Sequence, residues 1–240
     1  MYNLNGSFIK GKELEELRKR VFCEASFRRL EDAIAQYIPF KKGELEIKHA
    51  YEFNFQPEES LLITGKQILF MNNLKTIQIV YRESFSNELN EKDALHAHIL
   101  VPNNNGKSLL SLCILDSKIN IETIDDNYPY KEIKIVEEDL PDNPNFNLNQ
   151  SNVLTAKYWF NKNGCLPGGY QHCGGNCGKT GDYGGGKAIN YTDSCCKLHD
   201  DCYRSGVKKC KCDTMLINCI RNESTIVSMA IRLYFGPGAC

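Results

Sequence analysis

No run of about 18 apolar residues occurs in this 240-residue chain, so nothing in it reads as a membrane-spanning helix. The opening stretch, MYNLNGSFIKGKELEELRKR, lacks the apolar core that a secretory signal needs. The aromatic-and-basic interleaving of nucleic-acid modules is missing too, which puts nucleic acid last among partners. There is no internal repeat. Net charge is close to absent, at -1. Cysteine is scarce in the first 150 residues, which hold two of the twelve; the other ten lie between Cys165 and Cys240.

That imbalance divides the chain. Ten cysteines in so short a segment argue for disulfides, which persist in oxidising compartments, so a secreted or extracytoplasmic location is expected. With no standard signal visible, either export follows another route or the N-terminus was processed or mis-started. The near-zero net charge also hides a division. Residues 1–150 carry 18 Lys and Arg against 24 Asp and Glu, and residues 151–240 carry 11 against 6. A basic half suits an anionic partner: a membrane surface, a nucleic acid, or the acidic half in an intramolecular contact.

In the first half, Leu14, Leu17, Val21, Ala25, Leu30, Ile34 and Tyr37 recur at helical spacing and predict one amphipathic helix from Lys12 to about Ile38, with Cys23 buried in it. Strands are expected at Leu45–Phe55, Gln67–Met71, Thr76–Arg82, Leu95–Val101, Ser108–Asp116 and Glu132–Val136, from β-branched and aromatic content with period-two alternation. Turn signals such as PNNNGK, Pro102–Lys107, favour antiparallel hairpins. His96 and His98 share one strand face, either as metal ligands or as ordinary surface or core histidines. No catalytic constellation is visible here. Residues 137–152, acidic and aperiodic with two prolines, read as a linker.

The last third is denser. DSCCKLHDDCY, Asp193–Tyr203, should be helical from near Thr192 or Asp193 to Arg204. A second helix is expected from Lys209 toward Leu233. Cys195 and Cys202 are two helical turns apart, as are Cys212 and Cys219, so each pair lies on one face. The short connection forces the helices antiparallel, and facing positions then share one index sum. Cys195–Cys219 and Cys202–Cys212 satisfy it together; the crossed pairing would need parallel helices.

His199 falls on that same face, about level with Asp213 on the partner helix. Such a pair is either a general base with its orienting carboxylate or a satisfied core histidine. Asp200 projects off the seam, toward a loop between Cys165 and Gly186 that holds nine glycines. A carboxylate with several backbone carbonyls is a hard-oxygen site suited to calcium; the alternative is a flexible surface loop.

The residues Asp193-Ser194-Cys195-Cys196-Lys197-Leu198-His199-Asp200-Asp201-Cys202-Tyr203 resemble the signature of secreted phospholipases A2. His172-Cys173-Gly174-Gly175-Asn176 is similar to that family's calcium loop. Cys210-Lys211-Cys212-Asp213, with Cys219 seven residues beyond Cys212, is similar to its second helix. The resemblance covers about residues 155–235 and is to the compact microbial type. It implies His199 as general base, Asp213 as its orienting partner and Tyr203 as a hydrogen-bond donor to that aspartate. It also implies Ca2+ held by Asp200 and the carbonyls of His172, Gly174 and Asn176, an oxyanion at the Gly174 N–H, and a Cys173–Cys196 bridge. Asn176 departs from the usual glycine but tolerates positive φ. Cys177 is an addition.

The expectation is therefore an α+β two-domain chain. Residues 1–136 form a mixed helix and antiparallel sheet domain of unknown role, inhibitory or targeting. Residues 153–240 form a small all-α, disulfide-rich phospholipase A2-like domain with two antiparallel helices. The implied activity is calcium-dependent hydrolysis of the sn-2 ester of glycerophospholipids at an anionic membrane surface. The rivals are a catalytically silent disulfide-rich toxin or binding module, and a cysteine–histidine zinc module. Tyr158, Trp159, Phe160, Leu166 and Tyr170, with Lys157, Lys162 and Lys187, could form an apolar, basic rim for the membrane; the alternative is that Trp159 and Phe160 fill a small core.

Overall fold

A computed structural model describes residues 3–56, 62–86, 94–115, 118–129, 131–133, 140–148, 164–166, 169–179, 181–221, 223 and 225–235. Among the described residues the chain is α+β: an N-terminal antiparallel sheet of seven strands with helices, then a helical region in which four disulfides join described cysteines. Contacts group it into two compact units. One is residues 8–52 with 64–133; the other is residues 1–7 and 53–63 with 134–240.

The strands are β1 (Asn3–Phe8), β2 (Leu45–Gln56), β3 (Ile63–Asn72), β4 (Ile77–Ser86), β5 (Ala94–Asn103), β6 (Gly106–Leu115) and β7 (Lys118–Asp125), and their order in the sheet follows the chain. Two helices, α1 (Gly11–Cys23) and α2 (Ala25–Ala35), lie between β1 and β2. Hairpin chemistry fixes the register. Asn103 pairs with Gly106 across a two-residue turn, and the Asn103 Oδ1 accepts from Asn105 N–H at 2.9 Å. In the β3–β4 turn, Asn72 Oδ1 accepts from the N–H of Thr76 and of Ile77, at 2.8 and 3.0 Å.

Period-two alternation sorts the side chains. Ile77, Ile79 and Tyr81 of β4 join Leu95, Ala97 and Ile99 of β5 and Leu110, Leu112 and Ile114 of β6 on one face. Leu17, Val21, Phe27, Leu30, Ala33 and Ile34 of the two helices pack there. Burying side chains of this size contributes about 1.5–3 kcal/mol each relative to leaving them exposed. The Arg20 guanidinium holds Glu83 of β4 with both nitrogens, at 2.5 and 2.9 Å. On the other face, His96 and His98 are both buried and stack edge to face with ring centroids 4.3 Å apart. Cys113 pairs across from His96 and is buried, outside any disulfide.

Several expectations need correction. The single helix from Lys12 to Ile38 is two, because Glu24 is extended (φ -66°, ψ 142°) and ends one helix as it begins the next. A tertiary bond holds it there: Tyr81 Oη donates to Glu24 Oε1 at 2.8 Å. The break shifts the helical phase, burying Phe27 and leaving Cys23 exposed and free rather than buried. Strands β1 and β7 were not expected. Glu132 and Ile133 are not in a strand; Ile133 N–H makes one backbone bond, to Lys75 O at 2.7 Å, and residues 134–136 lie outside the described residues.

His49 of β2 carries a pH signature. Burial pulls its imidazole down from 6.5 to about 4. The unfolded chain thus takes a proton near 6.5 while the native chain resists until about 4. The associated stability is present above 6.5 and lost as pH falls across that window. The thermal unfolding midpoint should fall from pH 6.5 to 4, and His49→Gln should flatten that slope; an unchanged slope would show that other groups carry it.

Candidate functional site

Helix α3 spans Tyr191–Arg204; its N-cap is Asn190, two residues before Thr192 and three before Asp193, and the Asn190 side chain accepts from Asp193 N–H at 2.8 Å. The second helix ends earlier than expected. It is α4 (Lys209–Ile220), followed by a separate α5 (Ile226–Tyr234) capped by the Thr225 side chain. Arg232 Nη1 donates to the carbonyls of Ile220 and Glu223, at 3.0 and 2.7 Å, which closes the end of α4.

The helix register leaves α3 and α4 stapled as derived. Cys195–Cys219 and Cys202–Cys212 both form, with Cα–Cα separations of 5.9 and 5.7 Å. Cys173–Cys196 ties the glycine-rich loop to α3, and Cys165–Cys177 closes that loop on itself. Cys210 is disulfide-bonded as well. These bridges take up the thiols that a cysteine–histidine zinc module would need as ligands.

Between the staples, three of the expected site residues meet. His199 Nε2 lies 2.8 Å from Asp213 Oδ1, both residues being buried. A carboxylate oxygen only accepts, so Nε2 carries the proton and Nδ1 keeps its lone pair. No hydrogen bond occupies Nδ1 among the described residues. Tyr203 Oη donates to the same Asp213 oxygen at 2.5 Å, and burial, with that bond, raises the phenol. The Tyr203 ring lies 4.3 Å from His199, and Phe235, at the end of α5, meets the imidazole edge on at 5.1 Å. A helix running on from Lys209 toward Leu233 gives no reason to place Phe235 at His199; the break after Ile220 does.

Asp193 is the other residue that was missed. It is fully buried, and its two oxygens accept from the backbone N–H of Gln171, His172, Cys173 and Ile189, at 2.8–3.2 Å. It therefore acts as an anchor for the loop. The same stretch pairs like a short strand, Gly164 N–H to Gly175 O at 2.6 Å and Leu166 N–H to Cys173 O at 2.8 Å. A Cβ at Gly174, whose φ is 131°, would collide with the Gly164 carbonyl, so only glycine fits. Its N–H has no acceptor among the described residues. Asn176 adopts φ 60° and is steadied by Nδ2 donating to Asp182 at 2.7 Å.

Of the residues expected to hold a metal, Asp200 and His172 come together while Gly174 and Asn176 have other neighbours. Asp200 Oδ2 is buried with no hydrogen bond, as is His172 Nδ1. Both border the space left by the missing side chain of Gly178, where a Cβ would fall on the Asp200 carboxylate. The Gly174 carbonyl accepts from Cys177 N–H at 3.3 Å, and the Asn176 carbonyl lies against Gly181. An orphaned buried carboxylate oxygen beside a cleared space fits a bound cation.

Burial raises the Asp200 carboxyl from 3.8 to about 6, with nearby Asp193 adding to the rise and Arg204 opposing it. The native chain then holds its proton to higher pH than the unfolded chain. Cation-free stability is highest below 3.8 and falls as pH rises through about 6. Asp200→Asn should remove that loss, raising cation-free stability at pH 7 by about 1 kcal/mol once the carboxyl's solvent screening is discounted. Denaturant titration at pH 4 and pH 7 measures it; an equal effect at both would refute the assignment.

Of the expected rim, Tyr158, Trp159, Phe160, Lys157 and Lys162 lie outside the described residues. Leu166 and Tyr170 are buried and so belong to a core. Large apolar side chains are exposed elsewhere instead: Leu198 beside His199, Met215 on α4, and Tyr234 next to Phe235. Among the described residues, no helix is long and apolar enough to cross a membrane. No family model, curated protein or solved structure matches the chain.

Proposed function

We propose that this chain is a calcium-dependent ester hydrolase of the phospholipase A2 type, cleaving the sn-2 ester of glycerophospholipids at an anionic membrane surface outside the cytoplasm. The observation that carries the reading is the His199–Asp213–Tyr203 chain of hydrogen bonds, with Nδ1 left open and an orphaned Asp200 oxygen on the same helix. A buried imidazole whose tautomer is fixed by a carboxylate suits general-base work.

His199 Nδ1 accepts a proton from water as the water oxygen attacks the ester carbonyl carbon. The charge that develops on the ring is offset by Asp213, which is itself held by the Tyr203 hydroxyl. The same proton passes from Nδ1 to the leaving alkoxide, giving a fatty acid and a lysophospholipid. The Gly174 N–H, lacking any other acceptor among the described residues, is available to the oxyanion. Calcium, when bound by Asp200 and the His172 carbonyl, with the Gly174 and Asn176 carbonyls turned from their present neighbours, would supply Lewis-acid polarisation of the ester carbonyl. Leu198, Met215 and Tyr234, with exposed Lys197 and Lys211 on the same helices, support contact with an anionic lipid surface.

The test is release of fatty acid from anionic phospholipid vesicles by the full chain, with calcium and with EDTA. Hydrolysis that needs calcium and loses the sn-2 chain is the expected result. No calcium-dependent ester cleavage from a correctly bridged protein would favour the silent disulfide-rich module.

A further inference from the structure

We infer that the His172 imidazole, together with Asp200, forms a mixed nitrogen–oxygen site for a borderline divalent cation such as zinc. His172 Nε2 lies 2.9 Å from the carbonyl oxygen of Gly186. A carbonyl only accepts, so Nε2 bears the proton and Nδ1 presents a lone pair. That nitrogen belongs to a residue 3% exposed, and it has no hydrogen-bond partner.

The group bordering the same space is Asp200 Oδ2, also buried and without a donor. An ideal Cβ at Gly178 would fall on this oxygen and stand 3.6 Å from His172 Nδ1. Two acceptors therefore face one small space and cannot satisfy each other. A cation satisfies both.

The surroundings are those of a metal ligand. Ligating histidines characteristically donate their other ring N–H to a backbone carbonyl or carboxylate, which fixes ring and tautomer, as Gly186 does here. The loop is held by the Cys173–Cys196 and Cys165–Cys177 bridges and by the Asp193 anchor, so the two ligand atoms are set before any ion arrives. The donor set decides the ion. Calcium takes oxygen ligands, whereas imidazole nitrogen with carboxylate oxygen suits zinc and its neighbours in the first transition row. The proposal shares Asp200 with the calcium site proposed above but does not need ester hydrolysis, so zinc binding without lipase activity would remove that reading and leave this one.

The test uses the full, disulfide-intact chain stripped with chelator. Zinc titrated against a chromophoric competitor should bind at one equivalent. His172→Phe and Asp200→Asn should each weaken binding at least tenfold. The paired control His96→Gln, His98→Gln should bind zinc as the parent does. X-ray absorption of the zinc-loaded parent should report one imidazole with oxygen donors, a readout that no variant's folding can disturb. Failure of the parent to bind zinc overturns the inference. So does unchanged affinity in His172→Phe, or a zinc ion with two imidazoles.

Discussion

His199→Gln should lower calcium-dependent fatty-acid release by at least about a thousandfold, within the 10²–10⁴ range of general acid–base catalysis. Its effect on folding should stay below about 1 kcal/mol. The substitution keeps similar volume and an amide N–H that can still donate to Asp213, so the buried carboxylate does not lose its partner. What disappears is the nitrogen that accepts the proton from water. Asp213→Ala is the complementary change. It strips the acceptor from both His199 Nε2 and Tyr203 Oη and frees the ring to adopt the other tautomer. About a hundredfold loss in kcat is expected. Because the two residues act as a unit, the double variant should be little worse than His199→Gln alone. Activity of His199→Gln within tenfold of the parent would show that another group moves the proton.

The parts of this site that were legible in the sequence are those set by covalent and helical periodicity. Two cysteine pairs at seven-residue spacing, joined by a short connection, leave one antiparallel register, and the placement of His199 opposite Asp213 follows from it. The parts that were not legible depend on partners remote in sequence. Glu24 breaks the first helix because a tyrosine 57 residues later donates to it. Strand β7 does alternate, and Ile119 packs against the core, but as an edge strand with every side chain partly or fully exposed it carries little burial contrast. Phe235 reaches His199 only because Thr225 and Ser228 restart a helix after Glu223. Strand β1, NLNGSF, has a composition that reads as a turn, and its pairing in the sheet overrides that preference.

Asp193→Asn should be the most damaging single substitution in the disulfide-bonded region, at about 4 kcal/mol of stability or more, and it should abolish cation binding. In sequence this residue looks like a helix cap, whose loss typically costs about 1 kcal/mol. In the fold its carboxylate collects backbone N–H groups from Gln171, His172 and Cys173 on one side and Ile189 on the other. Buried N–H groups left unsatisfied cost about 1–3 kcal/mol each. Asparagine, though isosteric, replaces one acceptor oxygen with an NH2 that faces the same donors, so it should do little better than alanine. That equality separates the anchor from an ordinary cap, where asparagine performs as well as aspartate. The Cys173–Cys196 bridge keeps the loop attached in the variant, so the loss appears as disorder within a tethered segment rather than as detachment. Chemical denaturation, together with hydrogen exchange at Gln171, His172 and Cys173, reads both effects. Exchange rates there that match the parent's would mean that the two bridges alone hold the loop and that the Asp193 carboxylate is not its anchor.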